Sequence, residues 1–279
     1  MTYREWMTLG TERLQAAGIE EASLDAWYLL ERASGISRSR YYLVQKDPFP
    51  EEAAEKFQKL LAERARRVPL QQILGDTEFM GLTFLVNEHV LTPRQDTELL
   101  VELALKNLQC RTSPARVLDM CTGSGCIAVS LACLGQPAFV TAVDLSEEAL
   151  QVAKQNAEKN QAAVHFIKSD LFQELVGETY DVIISNPPYI PSNVIPGLMP
   201  EVRDHEPHMA LDGGADGLDF YRILAQVGRA YLAEGGSVFY EIGYDQGEAV
   251  SRILEACGYH KIAVHKDLSG LDRVVSAEK

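Results

Sequence analysis

Tyr180-Asp181-Val182-Ile183-Ile184-Ser185-Asn186-Pro187-Pro188-Tyr189-Ile190 carries an apolar run straight into two prolines. Val182, Ile183 and Ile184 read as a buried strand. The prolines fix φ near −65° and remove two backbone donors, so the chain leaves the strand as a stiff extended arm. That arm holds the Asn186 amide and the Tyr189 ring at the strand's carboxyl end, where open parallel sheets bind ligands. An amide acceptor beside an aromatic plate suits a flat, neutral, nitrogen-bearing group.

Outward from this stretch, strand and helix patterns alternate. Strands are expected at 115–120, 138–143, 164–169, 180–185 and 236–242, with two more at 259–265 and 271–275. Helical spacing fills 95–108, 125–134, 146–160, 219–233 and 245–257. Such alternation predicts an α/β fold with a doubly wound, mostly parallel sheet and right-handed crossovers.

The segment Val117 to Ala128 reads as strand, glycine-containing turn and helix start, with Gly123 and Gly125 allowing a tight turn and close approach of a ligand. Asp144 ends the next strand, where a carboxylate can accept two ribose hydroxyls. Gly123-x-Gly125-x-x-Ala128 with that acid also matches a dinucleotide fingerprint. Asp119 weighs against it, because a carboxylate near a pyrophosphate would oppose its charge. S-adenosylmethionine has no phosphate and carries a cationic amino group and a sulfonium, so the acid favours the methyl donor. A plain capping role for Asp119 and Asp144 is the competing reading. Asp170 and Leu171, after the third strand, could hold an adenine by its amino group and its apolar edge, or simply cap a helix.

Ahead of the sheet, residues 1–75 read as a helical domain: apolar spacing at Trp6, Leu9 and Leu14, a stop at Gly35, and a helix starting at Pro50 with Glu51 and Glu52 in its first turn. Arg64, Arg66 and Arg67 suit that helix's C-terminal end as a solvated face, with a partner surface as the alternative. Residues 76–92 read as a linking β-hairpin, and 93–279 as the α/β domain.

The net charge of −14 is uneven. Residues 1–75 hold eleven Lys and Arg against eleven Asp and Glu, which leaves 15 against 29 for the remainder. An acidic α/β half argues against a phosphate backbone as substrate. No apolar run approaches the ~18 to 20 residues of a membrane span, and the first residues have no signal-peptide pattern, so a cytoplasmic chain is expected. Five cysteines without C-x-x-C spacing read as reduced thiols. His205-Glu206-Pro207-His208 could suggest metal, but Pro207 spoils helical ligand spacing and no metal is expected.

With Asp119-x-Cys121-x-Gly123-x-Gly125, Asp144, Asp170 and Asn186-Pro187-Pro188-Tyr189 at successive strand ends, the chain resembles the class I S-adenosylmethionine-dependent methyltransferases. The N-P-P-Y signature narrows the resemblance to enzymes that methylate a planar nitrogen. Leu91 to Glu98 and Glu206 to Gly217, with the helical N-terminal domain, look like the peptide chain release factor glutamine methyltransferases of the HemK/PrmC type. That resemblance covers nearly the whole chain. It implies a seven-stranded sheet, S-adenosylmethionine as donor with S-adenosylhomocysteine as product, and a monomer acting on release factors. The donor site would comprise Asp119, Cys121, Thr122, Gly123, Ser124, Gly125, Asp144, Asp170, Leu171 and Asn186.

Asn186, Pro187, Pro188 and Tyr189, with Arg94, would receive the glutamine of a Gly-Gly-Gln tripeptide, and residues 1–75 would help recognise the protein substrate. Asn186, Pro187 and Tyr189 are the implied catalytic residues. The Asn186 side-chain oxygen and the Pro187 carbonyl would accept the two amide N–H bonds, and Tyr189 would hold the amide plane. Cys121 stands where the family commonly has glycine, Gln95 where it has proline, and Leu171 where some members have tryptophan. Adenine-N6 methylation of nucleic acid is the alternative activity, a non-enzymatic adenosine-ligand sensor or scaffold comes from another class, and an oxidoreductase is the remotest reading.

Overall fold

A computed structural model describes residues 1–137 and 139–279. In chain order the helices and strands are α1 (Tyr3–Ala16), α2 (Ala22–Ser34), α3 (Arg38–Val44), α4 (Glu51–Ala65), α5 (Leu70–Leu74), β1 (Asp76–Phe79), β2 (Leu82–Leu85), α6 (Asp96–Gln109), β3 (Arg116–Met120), α7 (Cys126–Leu134), β4 (Phe139–Asp144), α8 (Glu147–Lys159), β5 (His165–Lys168) and β6 (Tyr180–Ser185). They continue as α9 (Pro200–His205), α10 (Asp219–Gln226), α11 (Gly228–Tyr231), β7 (Leu232–Glu241), α12 (Gly247–Ala256), β8 (His260–Lys266) and β9 (Asp272–Glu278). Two compact units result: one of 1–75 with 199–205, the other of 76–198 with 206–279.

In the first unit, α1 opens with a capping box, Thr2 accepting from the Glu5 N–H while the Glu5 carboxylate accepts from Thr2. α2 stops at Gly35, which takes φ 70° as left-handed C-cap. Leu14, Leu29, Leu30, Phe57 and Leu61 are fully buried and form the core. Arg64 departs from the solvated face expected for it. It is buried, donating to Asp25 at 2.6 Å and to Glu201 of α9 at 3.0 Å, while Arg67 reaches the other Glu201 oxygen at 2.7 Å. Burial alone would raise the Glu201 carboxyl, but hydrogen bonds from Arg67 and Arg64 outweigh it and hold the group low. The short segment 199–205 is thus tied by charge to α4.

The second unit is the expected doubly wound sheet, seven strands in the order β5-β4-β3-β6-β7-β9-β8. β3 to β7 pair in parallel, and β9 runs antiparallel to both neighbours. Val182, Ile183 and Ile184 are fully buried in β6, at roughly 1.5–3 kcal/mol for each such side chain. The chain winds outward from β3 to β5, then returns to β6 on the other side of β3. The carboxyl ends of β3 and β6 therefore flank the switch point, where such sheets bind ligands. β1 and β2 form an antiparallel hairpin, and the Asn156 amide of α8 bonds both Leu85 backbone groups, which clamps β2 to α8.

Several expected boundaries shift by a few residues, the strand expected over 271–275 running as Asp272–Glu278, and one helix breaks. The helix expected over 219–233 ends at Gln226; α11 follows, and β7 starts early because Leu232 pairs with Tyr180. Gly228 lies against Phe172, where a Cβ would come within 3.0 Å of the ring. The strand expected over 138–143 appears as β4 from Phe139, and Ala138 lies outside the described residues.

Candidate active site

The turn after β3 is built around a buried acid. Asp119 Oδ2 accepts from Thr122 Oγ1 at 2.6 Å and from the Ala128 N–H in the first turn of α7 at 3.2 Å. Its Oδ1 is buried without a hydrogen-bond partner among the described residues, and burial pushes the carboxyl up to about 7. Asp119 thus lies beneath the turn and caps α7. Cys121, Gly123 and Gly125 all take positive φ, 62°, 53° and 79°. For Cys121 this is a strained left-handed backbone where glycine would relax, and burial raises its thiol well above the ordinary range. Gly125 also touches α8, since a Cβ there would come 2.9 Å from Ala153 Cβ.

Asp144, at the end of β4, accepts from the Gly123 N–H at 2.8 Å and from the Ser146 N–H at 2.9 Å. A carboxylate offers about four lone-pair sites, so these backbone donors leave Asp144 room to accept from a ligand. Asp170 is exposed and accepts from Gln173. Leu171 follows in a left-handed conformation, φ 49°, with the Ser169 hydroxyl donating to its carbonyl at 2.8 Å.

A cavity of about 160 Å³ opens over these strand ends. Its wall brings together Cys121, Thr122, Gly123, Ser124, Asp144, Asp170, Leu171, Asn186, Pro188 and Arg94 from the expected set. Asp119 and Gly125 do not line it, being beneath and behind the turn. Pro187 and Tyr189 also lie off the wall, Pro187 buried and Tyr189 partly buried against the core; burial pushes the Tyr189 phenol up to about 12.

Asn186 Nδ2 donates to Thr97 Oγ1 of α6 at 3.3 Å. Neither its Oδ1 nor the Pro187 carbonyl accepts a hydrogen bond among the described residues. The segment beyond is held against 211–217: Ile190 N–H donates to Leu211 O at 3.0 Å, and Gly213 N–H to Ile190 O at 2.9 Å. Gly213 and Gly217 are required by this contact, because a Cβ at either would meet the Tyr189 backbone at 2.7 or 2.3 Å. Gln246 Nε2 donates to both Tyr189 O and Gly217 O, joining the two strips. Arg94 Nη2 contacts both oxygens of buried Glu206 at 2.8 Å, so its charge is already matched; burial still raises the Glu206 carboxyl.

Sequence reasoning gave no individual role to Asn156, Thr97, Glu241 or Gln246, although Thr97 falls within the Leu91 to Glu98 stretch. All four are buried polar residues, and only the burial of a polar side chain among apolar neighbours could have singled them out. Among the described residues no three His, Cys, Asp or Glu gather as a metal-binding group, and no helix is long and apolar enough to cross a membrane.

The chain matches the PrmC N-terminal domain family over residues 5–75 and the methyltransferase small domain family over 95–195. A release factor glutamine methyltransferase of Geobacter sulfurreducens is 43% identical over 262 residues, covering 94% of this chain and 91% of that protein. One from Cereibacter sphaeroides is 46% identical over 268 residues, covering 95% and 94%. Among solved structures, a methyltransferase from Pyrococcus furiosus has a TM-score of 0.53 at 18% identity, covering 71% of this chain and 89% of that one, and so shares the sheet architecture. With such identity to named relatives along more than nine-tenths of its length, the chain belongs to the release factor glutamine methyltransferase family.

Proposed function

We propose that the protein transfers a methyl group from S-adenosylmethionine to the N5 amide nitrogen of the glutamine in the Gly-Gly-Gln tripeptide of a release factor. The observation that carries this is the unused acceptor Asn186 Oδ1 on the same cavity wall as the turn after β3, with the Pro187 carbonyl, unused too, one residue behind that wall. A primary carboxamide presents two N–H donors in one plane, and two adjacent acceptors match it. Family membership supports the same substrate.

The residues present fit the donor. Asp144 keeps lone pairs for a diol, and a cationic ligand above the turn would favour the charged form of the Asp119 carboxyl, whose Oδ1 has no partner among the described residues. Asp170 and Leu171 would border the base, and 121–125 the rest of the donor. When bound, S-adenosylmethionine supplies an electrophilic methyl group on its sulfonium. An amide nitrogen is a poor nucleophile because its lone pair is delocalised. Asn186 and Pro187 would hold both N–H bonds and so set the direction of that lone pair; Tyr189 and Pro188 would restrict the amide plane. Positioning of this kind can supply several kcal/mol of the ~7 to 11 available to a well-aligned pair. Arg94, matched by Glu206, would shape the acceptor side of the cavity.

The test is incubation with S-adenosylmethionine and unmethylated release factor, followed by peptide mass spectrometry. One added methyl on the tripeptide glutamine is the expected result. No added mass there, or label appearing in nucleic acid instead, overturns the proposal.

A further inference from the structure

Glu241 ends β7, and the register that pairs Ser185 with Tyr240 puts it beside Asn186 on the neighbouring strand. The residue is 2% exposed, forms no ion pair among the described residues, and leaves Oε2 without a hydrogen-bond partner. A buried carboxylate so poorly matched is costly to keep, and packing alone gives no reason for it. Its neighbours supply one. Strand register sets its carboxylate next to Asn186, whose Nδ2 donates to Thr97 Oγ1 at 3.3 Å, so the carboxylate and the Thr97–Asn186 pair share one buried pocket of polar groups.

Hydrogen-bond polarity gives this cluster a direction. A carboxylate only accepts, a hydroxyl has one proton to give, and a carboxamide has a donating and an accepting end. Thr97 Oγ1 accepts Asn186 Nδ2–H, so its one proton is free to turn toward the nearest acceptor, and a neighbouring carboxylate is such an acceptor. The donating end of the amide is then held inward and Oδ1 is left over. A reversed amide would present N–H to the N–H of the substrate. We propose that Glu241, acting with Thr97, is a positioning residue that fixes the orientation of the Asn186 carboxamide, so that an acceptor meets the substrate amide.

This rests on the reading of Asn186 as the acceptor of that amide. The charged and titratable groups around Glu241 are Arg273 of β9 and Asp96 of α6, with Tyr189, Tyr221 of α10 and Cys126 of α7. Burial pushes the carboxyl up to about 7, while Thr97, Arg273 and Asn186 pull it down. Protonated, Glu241 loses its charge and gains an O–H donor, so it accepts less strongly and can also donate to Thr97 Oγ1, which weakens the bias on the Asn186 amide.

The experiment compares wild type with Glu241→Gln, Thr97→Val and Thr97→Ser, each checked for folding by circular dichroism. Nitrogen-15 NMR of the Asn186 side-chain NH2 needs no substrate. Its protons should be protected from exchange in wild type and Thr97→Ser, and lose protection in Thr97→Val and Glu241→Gln. With a release factor as acceptor, kcat should fall about 10- to 100-fold in Thr97→Val and Glu241→Gln, with donor affinity by calorimetry unchanged and Thr97→Ser close to wild type. Wild-type kcat should fall as the pH drops below about 7, and Glu241→Gln should lack that limb. Unaltered Asn186 protection in Thr97→Val, or Thr97→Ser as impaired as Thr97→Val, overturns the inference. A wild type that leaves the release factor unmethylated overturns the substrate reading instead, and the NMR comparison still decides the orientation.

Discussion

Gly123 and Gly125 stand two residues apart in one turn, yet they should respond differently to a methyl group. Both are left-handed, φ 53° and 79°, where an L side chain costs roughly 1–2 kcal/mol. At Gly123 a Cβ would meet nothing within 4 Å. At Gly125 it would come 2.9 Å from Ala153 Cβ and 3.2 Å from Ala153 Cα. Those are fixed parts of α8 that cannot swing aside, and overpacking of this kind costs roughly a further 1–3 kcal/mol. Gly123→Ala should therefore lower unfolding free energy by about 1–2 kcal/mol and Gly125→Ala by about 2–5 kcal/mol, read from urea denaturation. Gly123 lines the cavity and Gly125 does not, so donor affinity by calorimetry should suffer more at Gly123 relative to the loss of stability. Ala153→Gly removes the closest contact; combined with Gly125→Ala it should destabilise less than the sum of the two changes, by about 1 kcal/mol or more. Equal losses at the two glycines, or additivity within about 0.5 kcal/mol in the double variant, would refute the steric argument.

Asn186→Ala should reduce kcat on a release factor by about 10²- to 10³-fold, as for other lost positioning groups, while calorimetry shows the donor still bound; parallel loss of both would remove Asn186 from the acceptor role. Arg64→Met leaves Asp25 buried and unpaired, so a loss of about 3–5 kcal/mol in the helical unit is expected by denaturant melting. Stability should also depend on pH through Asp119. A carboxyl whose folded pKa is raised binds its proton more tightly when folded, so the stability it allows is full below the unfolded pKa of 3.8 and falls until about pH 7. That interval corresponds to about 4 kcal/mol; Asp119→Asn should flatten the slope of denaturation free energy between those pH values, and an unchanged slope would place the burial cost elsewhere. Gly217→Ala, which drives a Cβ into Tyr189 O, should lower turnover more than donor affinity.

β6 was legible to the residue, Tyr180 to Ser185, because a buried parallel strand needs an unbroken apolar run and the prolines mark its end. The sheet followed from the same local signal repeated. Local signal failed where the partner is distant. Arg64 ends a helix, and its sequence neighbours suggest only a dipole complement, whereas Asp25 and Glu201 are supplied from 39 and 137 positions away. The 219–233 segment is apolar enough for either helix or strand, and the Leu232 pairing with Tyr180 decided it. Glu241 and Gln246 were invisible for a related reason, and Thr97 was seen only as part of the Leu91 to Glu98 string: a polar residue's role depends on distant partners, and for Glu241 on strand register, which periodicity does not specify.

The Glu206 to Gly217 stretch shows how a motif can be read before its cause is known. It stood out as a string, but Gly213 and Gly217 are explained only by the approach of the Tyr189 backbone, and Gly214 by a left-handed turn against the Asp219 side chain. The Tyr189 contact accounts for Gln246, whose single amide holds Tyr189 O and Gly217 O together, while Glu206 at the head of the stretch fixes Arg94 and the Thr92 N–H. All of these constraints act on the backbone of the acceptor arm or the wall facing it. None of them introduces a proton acceptor strong enough to ionise an amide. If alignment of the lone pair is the source of rate, as proposed, stiffness of the arm is itself the catalytic resource. The prolines then remove rotation along the arm, the glycines let a second strip lie flat against it, and the buried polar residues fix its register.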